Sequence, residues 1–105
     1  MRMEAKQNRD GEPLHDLTAF QRDLLVVIDT SEQDPLHGLG IKETIEEKYN
    51  DEKIHHGRLY PNLDTLVEMG FVSKGEVDQR TNSYEITRRG LAELDLHRNW
   101  ISRGE

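Results

Sequence analysis

The chain has 105 residues, 33% hydrophobic and 33% charged, with 21 acidic against 14 basic side chains and a formal net charge of −7. This length supports one small domain with a modest core, and such thin apolar content leads us to expect burial to be completed against a second copy. Cysteine is absent, which excludes disulfides, thiolate metal sites and thiol redox switches, and no apolar run approaches the ~20 residues that cross a bilayer, so no membrane partner and a cytoplasmic location are expected.

Residues 1–16 are polar, mixed in sign and carry Gly11 and Pro13, which reads as a flexible N-terminal arm; Arg2, Lys6 and Arg9 give it some capacity to touch DNA. Thr18-Ala19-Phe20-Gln21 has capping-box spacing, since a hydroxyl and an amide three residues apart satisfy each other's orphaned backbone donors. A first helix therefore begins at Thr18 and ends between Thr30 and Gln33, with Leu17, Phe20, Leu24, Val27 and Ile28 as its apolar stripe. Asp34-Pro35 marks a turn. After it, Leu39, Ile41, Ile45 and Tyr49 recur at helical separations, which predicts a second amphipathic helix closing near Asn50 with Lys42, Glu43, Glu46 and Glu47 outside. Residues 50–53 form a polar loop, and Ile54 is expected to plug into the core.

The third predicted helix starts at His55 or His56. Leu59, Leu63, Leu66 and Val67 line its inner face, while Arg58, Pro61, Asp64 and Thr65 point elsewhere. Pro61 lies beyond the first turn and predicts a late start or a slight bend. Gly70 stands where a left-handed stop is cheapest, because it lacks the Cβ that penalises positive φ. A hairpin follows: Val72 to Val77, a turn over residues 78–82, and a return through Ser83 to Thr87 in which Tyr84 and Ile86 alternate with polar neighbours. A last helix runs from about Arg88 to Ile101. Its Leu91, Leu94, Leu96, Trp100 and Ile101 spread over more than one narrow stripe, and this surplus apolar surface suggests a dimer seam.

The run Gly57-Arg58-Leu59-Tyr60-Pro61, with Leu63, Leu66 and Gly70, closely resembles the signature of PadR-like winged helix-turn-helix transcriptional regulators. His37-Gly38-Leu39 and the set Tyr84, Ile86, Thr87 and Gly90 match further parts of that pattern, so the likeness covers roughly residues 18–95. The resemblance implies an α+β, mainly α fold: a winged helix-turn-helix of three helices, a β-hairpin wing and a C-terminal dimerisation helix. The DNA-binding domain would be residues 17–87 and the dimerisation helix residues 88–105. Longer members carry further C-terminal helices, so the interface of this chain should be compact. The implied function is transcription regulation by a homodimer bound to double-stranded DNA at pseudo-palindromic promoter sites. The acidic composition further resembles haloarchaeal members, an oxidative-stress regulator among them.

A recognition helix needs forked or short polar groups near its N-terminal end, where the major groove is reached. Arg58 is the first candidate, because a guanidinium pairs bidentately with guanine or clamps a phosphate. His55, His56, Tyr60, Asn62 and Thr65 follow, with Tyr60 suited to a phosphate and Lys53 ahead of the helix. In the wing, Arg80 is placed to enter the minor groove and Lys74 to touch backbone. Asp64 is the misfit, since it repels phosphate. So is the net charge, because neutralised phosphates normally supply non-specific affinity. High salt reconciles the two, with bound cations at an acidic protein–DNA interface.

His15, His37, His55, His56 and His97 do not form a recognised metal-ligand spacing, and His55 and His56 diverge by about 100° on one helix. Nucleophile elbow, phosphate-cradling glycine loop and convergent acid pair are likewise missing, so neither enzyme activity nor a cofactor is expected. Two alternatives remain beside DNA binding: a winged-helix protein-interaction module, and a ligand- or metal-sensing regulator, for which Trp100 could stack a planar ligand.

Overall fold

The structure, a computed structural model, describes residues 16–76 and 81–103. In chain order these form α1 (Ala19–Thr30), α2 (Gly38–Lys48), α3 (His56–Glu68), β1 (Val72–Glu76), β2 (Asn82–Ile86) and α4 (Arg88–Arg103). This order is the winged-helix arrangement predicted above. The arm and Arg80 lie outside the described residues, apart from Asp16.

Helix α1 starts where its capping box dictates. Thr18 Oγ1 accepts from Gln21 N, and Gln21 Oε1 accepts from Thr18 N, each at 3.1 Å. Its predicted stripe is buried, joined by Leu25, and meets Ile41 and Ile45 of α2 and Leu59, Leu63 and Leu66 of α3 in one core with Leu17, Leu36, Ile54, Phe71, Val72, Tyr84 and Leu94. Strands β1 and β2 pair antiparallel, with Val72 opposite Ile86 and Glu76 opposite Asn82. The segment before α2 extends this ribbon: His37 bridges Ser83, and Tyr84 N donates to Leu36 O at 2.9 Å. The wing is thus stitched to the α1–α2 connection as well as to α3.

Gly70 has φ +82°, and there the chain reverses from α3 into β1. Thr87 locks that corner to the last helix. Its hydroxyl donates to Gly70 O at 2.7 Å and accepts from Gly90 N at 2.9 Å as the cap of α4. A side chain at position 90 would meet Phe71 O at 2.2 Å, so only glycine lets α4 lie this close to the reversal.

Three expectations need correction, and one is narrowed. Leu39 is 58% exposed, because it falls on the solvent side of α2 while Ile41 and Ile45 turn inward. Glu46, expected outside, is buried, since its carboxylate receives the Ile54 amide at 2.9 Å and Lys42 at 2.8 Å. Helix α3 begins at His56, as its spacing predicts, and runs continuously through Pro61, so of the two outcomes expected of that proline the late start does not occur. Leu94, assigned to the dimer seam, is 1% exposed and belongs to the core of its own chain, packed beneath α1.

Candidate nucleic-acid interface

The first turn of α3 is presented to solvent. Lys53 is exposed in the loop, His55 is the N-cap residue, and His56, Gly57 and Arg58 are exposed in sequence behind it. Ile54, buried immediately before the cap, and Leu59, buried immediately after the turn, pin this stretch from both sides. Glu46 contributes from below, because the Ile54 amide it accepts belongs to the residue that sets the entry angle of α3. That N–H first, and then Lys42, hold the Glu46 carboxyl below its ordinary value of 4.5.

Arg58 lies with its guanidinium carbon 3.9 Å from the centroid of the Phe20 ring on α1. Phe20 in turn packs at a tilt on Tyr49, ring centroids 6.3 Å apart, and the Tyr49 hydroxyl donates to Asp23. Burial first, and then that hydrogen bond, push the Tyr49 phenol up to about 12.

The structure separates the remaining candidates. Tyr60 is half-buried: its ring packs where a Gly38 Cβ would stand, with Oη 2.6 Å from that point, and meets His56 edge-on at 5.6 Å. It therefore braces α2 against α3. Asn62 is half-buried and turned to the scaffold: Nδ2 donates to Arg58 O at 2.7 Å and Oδ1 accepts from Gln21 Nε2 at 2.9 Å. Thr65 donates to Pro61 O at 3.1 Å, a bond within its own helix. Lys74 on β1 reaches Asp64 at 3.5 Å, with both side chains substantially exposed. This pair answers the Asp64 misfit, because the carboxylate faces a cation rather than standing alone. Lys53, His55, His56 and Arg58 thus gather at one end of α3, while Asn62 and Thr65 do not join them.

Phe20 and Gln21 have a part in the site that sequence reasoning missed. The periodicity assigned Phe20 to the core and the cap spacing assigned Gln21 to α1, and neither signal contains the distance from α1 to α3. At the opposite end of the molecule, Leu91, Leu96, Trp100 and Ile101 are 38%, 62%, 70% and 58% exposed. Among the described residues no group of His, Asp or Glu is arranged to hold a metal ion, and no helix is long and apolar enough to cross a membrane.

Residues 24–96 match the transcriptional regulator PadR-like family. RosR of H. salinarum, from crystals grown from NaBr, is 45% identical, with 82% of this chain and 74% of that one covered and a TM-score of 0.75. The same regulator in the complex designated SG gives 42% identity over 89% and 80% of the two chains, at a TM-score of 0.80. A PadR-like transcription factor from B. fragilis, 19% identical over 81% and 82% of the chains at a TM-score of 0.66, shares the fold. No curated protein sequence matches the chain significantly.

Proposed function

Since the chain belongs to the PadR-like family of transcriptional regulators, we propose that it binds promoter DNA as a homodimer, reading the major groove with the first turn of α3. The observation that carries this reading is the exposed run His55, His56, Gly57 and Arg58, held between buried Ile54 and Leu59, with exposed Lys53 just ahead of it. A helix offered by its N-terminal end to solvent, with a forked cation in its first turn, matches what base-edge recognition requires. Lys74 and Arg80 would follow the backbone and the minor groove from the wing.

In the proposed dimer, Leu91, Leu96, Trp100 and Ile101 meet their counterparts and place two α3 helices about 34 to 36 Å apart, one turn of duplex. Leu94 takes no part. The protein would act in the cytoplasm at high salt, consistent with its net charge of −7. Where Asp64 pairs with Lys74, an approaching phosphate competes for the lysine and leaves the carboxylate to a cation, so binding takes up cations where an ordinary DNA binder only releases them. The 42 to 46% identity to RosR favours regulation of the same kind, and the stress-response role implied by the sequence resemblance belongs to the same proposal.

The test is fluorescence anisotropy with duplexes selected by the protein from a random pool in molar KCl. Affinity should decline with salt far less steeply than counterion release dictates, or rise. Arg58→Ala should cost about 1 to 3 kcal/mol on the selected duplex and flatten sequence preference. A protein that selects no duplex at any salt concentration is not a DNA-binding regulator. A steep negative salt slope would refute the cation uptake.

A further inference from the structure

Arg58 is held at two points, directly by α1 on its side chain and, on its backbone, by Asn62 of its own helix, which α1 holds in turn. The guanidinium carbon sits 3.9 Å from the Phe20 ring centroid. The main-chain carbonyl accepts from Asn62 Nδ2 at 2.7 Å, and Asn62 Oδ1 accepts from Gln21 Nε2 at 2.9 Å. Phe20 and Gln21 are neighbours in the first turn of α1, and Gln21 is itself fixed by the Thr18 capping box. A single turn of α1 thereby contacts the Arg58 side chain directly and reaches its carbonyl through Asn62.

We infer that Phe20 and the Gln21–Asn62 tie are positioning residues that preorganise Arg58 for base readout, so that the first turn of α1 determines the sequence specificity of α3. The inference rests on the DNA-binding reading above and deepens it. A free arginine has several rotatable bonds to freeze before it can pair with a base, and binding bears that ordering cost. A guanidinium held by its face against a ring has spent part of this freedom in advance. Among the described residues the guanidinium makes no hydrogen bond or ion pair beside this contact, so its five N–H donors are available to a base edge. Phe20 is only 6% exposed and is backed by Tyr49, so the platform is rigid, whereas Arg58 above it is open to solvent. Charge steering needs no such precision, because a mobile arginine still neutralises phosphate. The device should therefore act on specific binding and leave non-specific binding unchanged.

The experiment compares wild type, Phe20→Leu, Phe20→Tyr, Arg58→Ala and the Phe20→Leu/Arg58→Ala double variant. Each is titrated by anisotropy against the duplex selected by the wild-type protein and against a random-sequence duplex of equal length. Phe20→Leu keeps an apolar filler and removes the π face. It should lower affinity for the selected duplex about 3- to 30-fold with little change on random DNA. Phe20→Tyr should restore it, and Phe20→Leu should cost nothing further once Arg58 is alanine. A loss equal on both duplexes, or one that persists undiminished in the Arg58→Ala background, overturns the inference and leaves Phe20 a core residue. A gain in affinity also overturns it, since Arg58 would then be parked on Phe20 and not presented by it.

If Arg58→Ala binds both duplexes as wild type does, the DNA-contact reading of Arg58 itself has failed, a result distinct from the others. Nuclear magnetic resonance of the unaltered protein gives a readout that no folding defect can imitate. The Arg58 δ-methylene protons should be shifted upfield by the Phe20 ring current in the free protein and remain so on the selected duplex. Disappearance of that shift on binding overturns the inference.

Discussion

At Glu46 a carboxylate on a helix face that reads as solvent-exposed turns inward, because the loop after α2 doubles back and offers it the Ile54 amide at 2.9 Å. The carboxyl is held below 4.5, first by that amide and then by Lys42. A depressed carboxylate contributes stability that is present above its unfolded value and is lost as pH falls through its folded one. Thermal melts from neutral pH to well below 4.5 should show wild type losing stability on the acid side more steeply than Glu46→Gln, whose amide still accepts from Ile54 but cannot titrate. Equal slopes would acquit Glu46. Arg58 presents the complementary case, a residue whose exposure was legible but whose support was not. Its place after Gly57 and before buried Leu59 could be read from spacing, whereas the ring beneath it lies 38 positions earlier in the chain.

Helix α4 shows how one element divides between two tasks. Leu94 is 1% exposed, Arg98 four residues on reaches Asp29 of α1 at 2.9 Å, and Ile101 continues that same face but is 58% exposed. The helix therefore runs past the end of the core. Leu96 and Trp100, one turn apart, occupy a different face and are 62% and 70% exposed. Leu94→Ala should cost about 2 to 5 kcal/mol in chemical denaturation, because it opens a cavity in the chain's own core. Leu96→Ala should stay within about 0.5 kcal/mol of wild type when both are measured at concentrations low enough to be monomeric. Similar losses for the two would mean that both pack inside one chain. The sequence showed that α4 carried more apolar surface than a small core could use. It did not rank the five residues, because the ranking depends on where α1 stops.

On the scale of the whole molecule, the proposed base-reading end and the exposed apolar end are separate, and the proposed dimer joins them through α4. Trp100→Glu should convert the dimer to a monomer in sedimentation experiments, at a cost of about 2 kcal/mol or more if the tryptophan is an anchor of the seam. Affinity for a pseudo-palindromic duplex should fall with it, while affinity for a half-site should not. An unchanged sedimentation coefficient would place the seam elsewhere.

Local pattern was sufficient for the element order, the capping box at Thr18, the reversal at Gly70 and most of the core, though not Leu25, Leu36, Phe71, Val72 or Leu94, since each depends on residues within a few positions of one another. The family was legible for the same reason: its signature is a contiguous run around α3. Only the packed chain decided that Asn62 serves Arg58 and Gln21, that Tyr60 closes on Gly38, that Lys74 answers Asp64, and that Leu94 faces inward. Each of these outcomes is fixed by the separation of two elements in space, a quantity that periodicity along one of them does not contain.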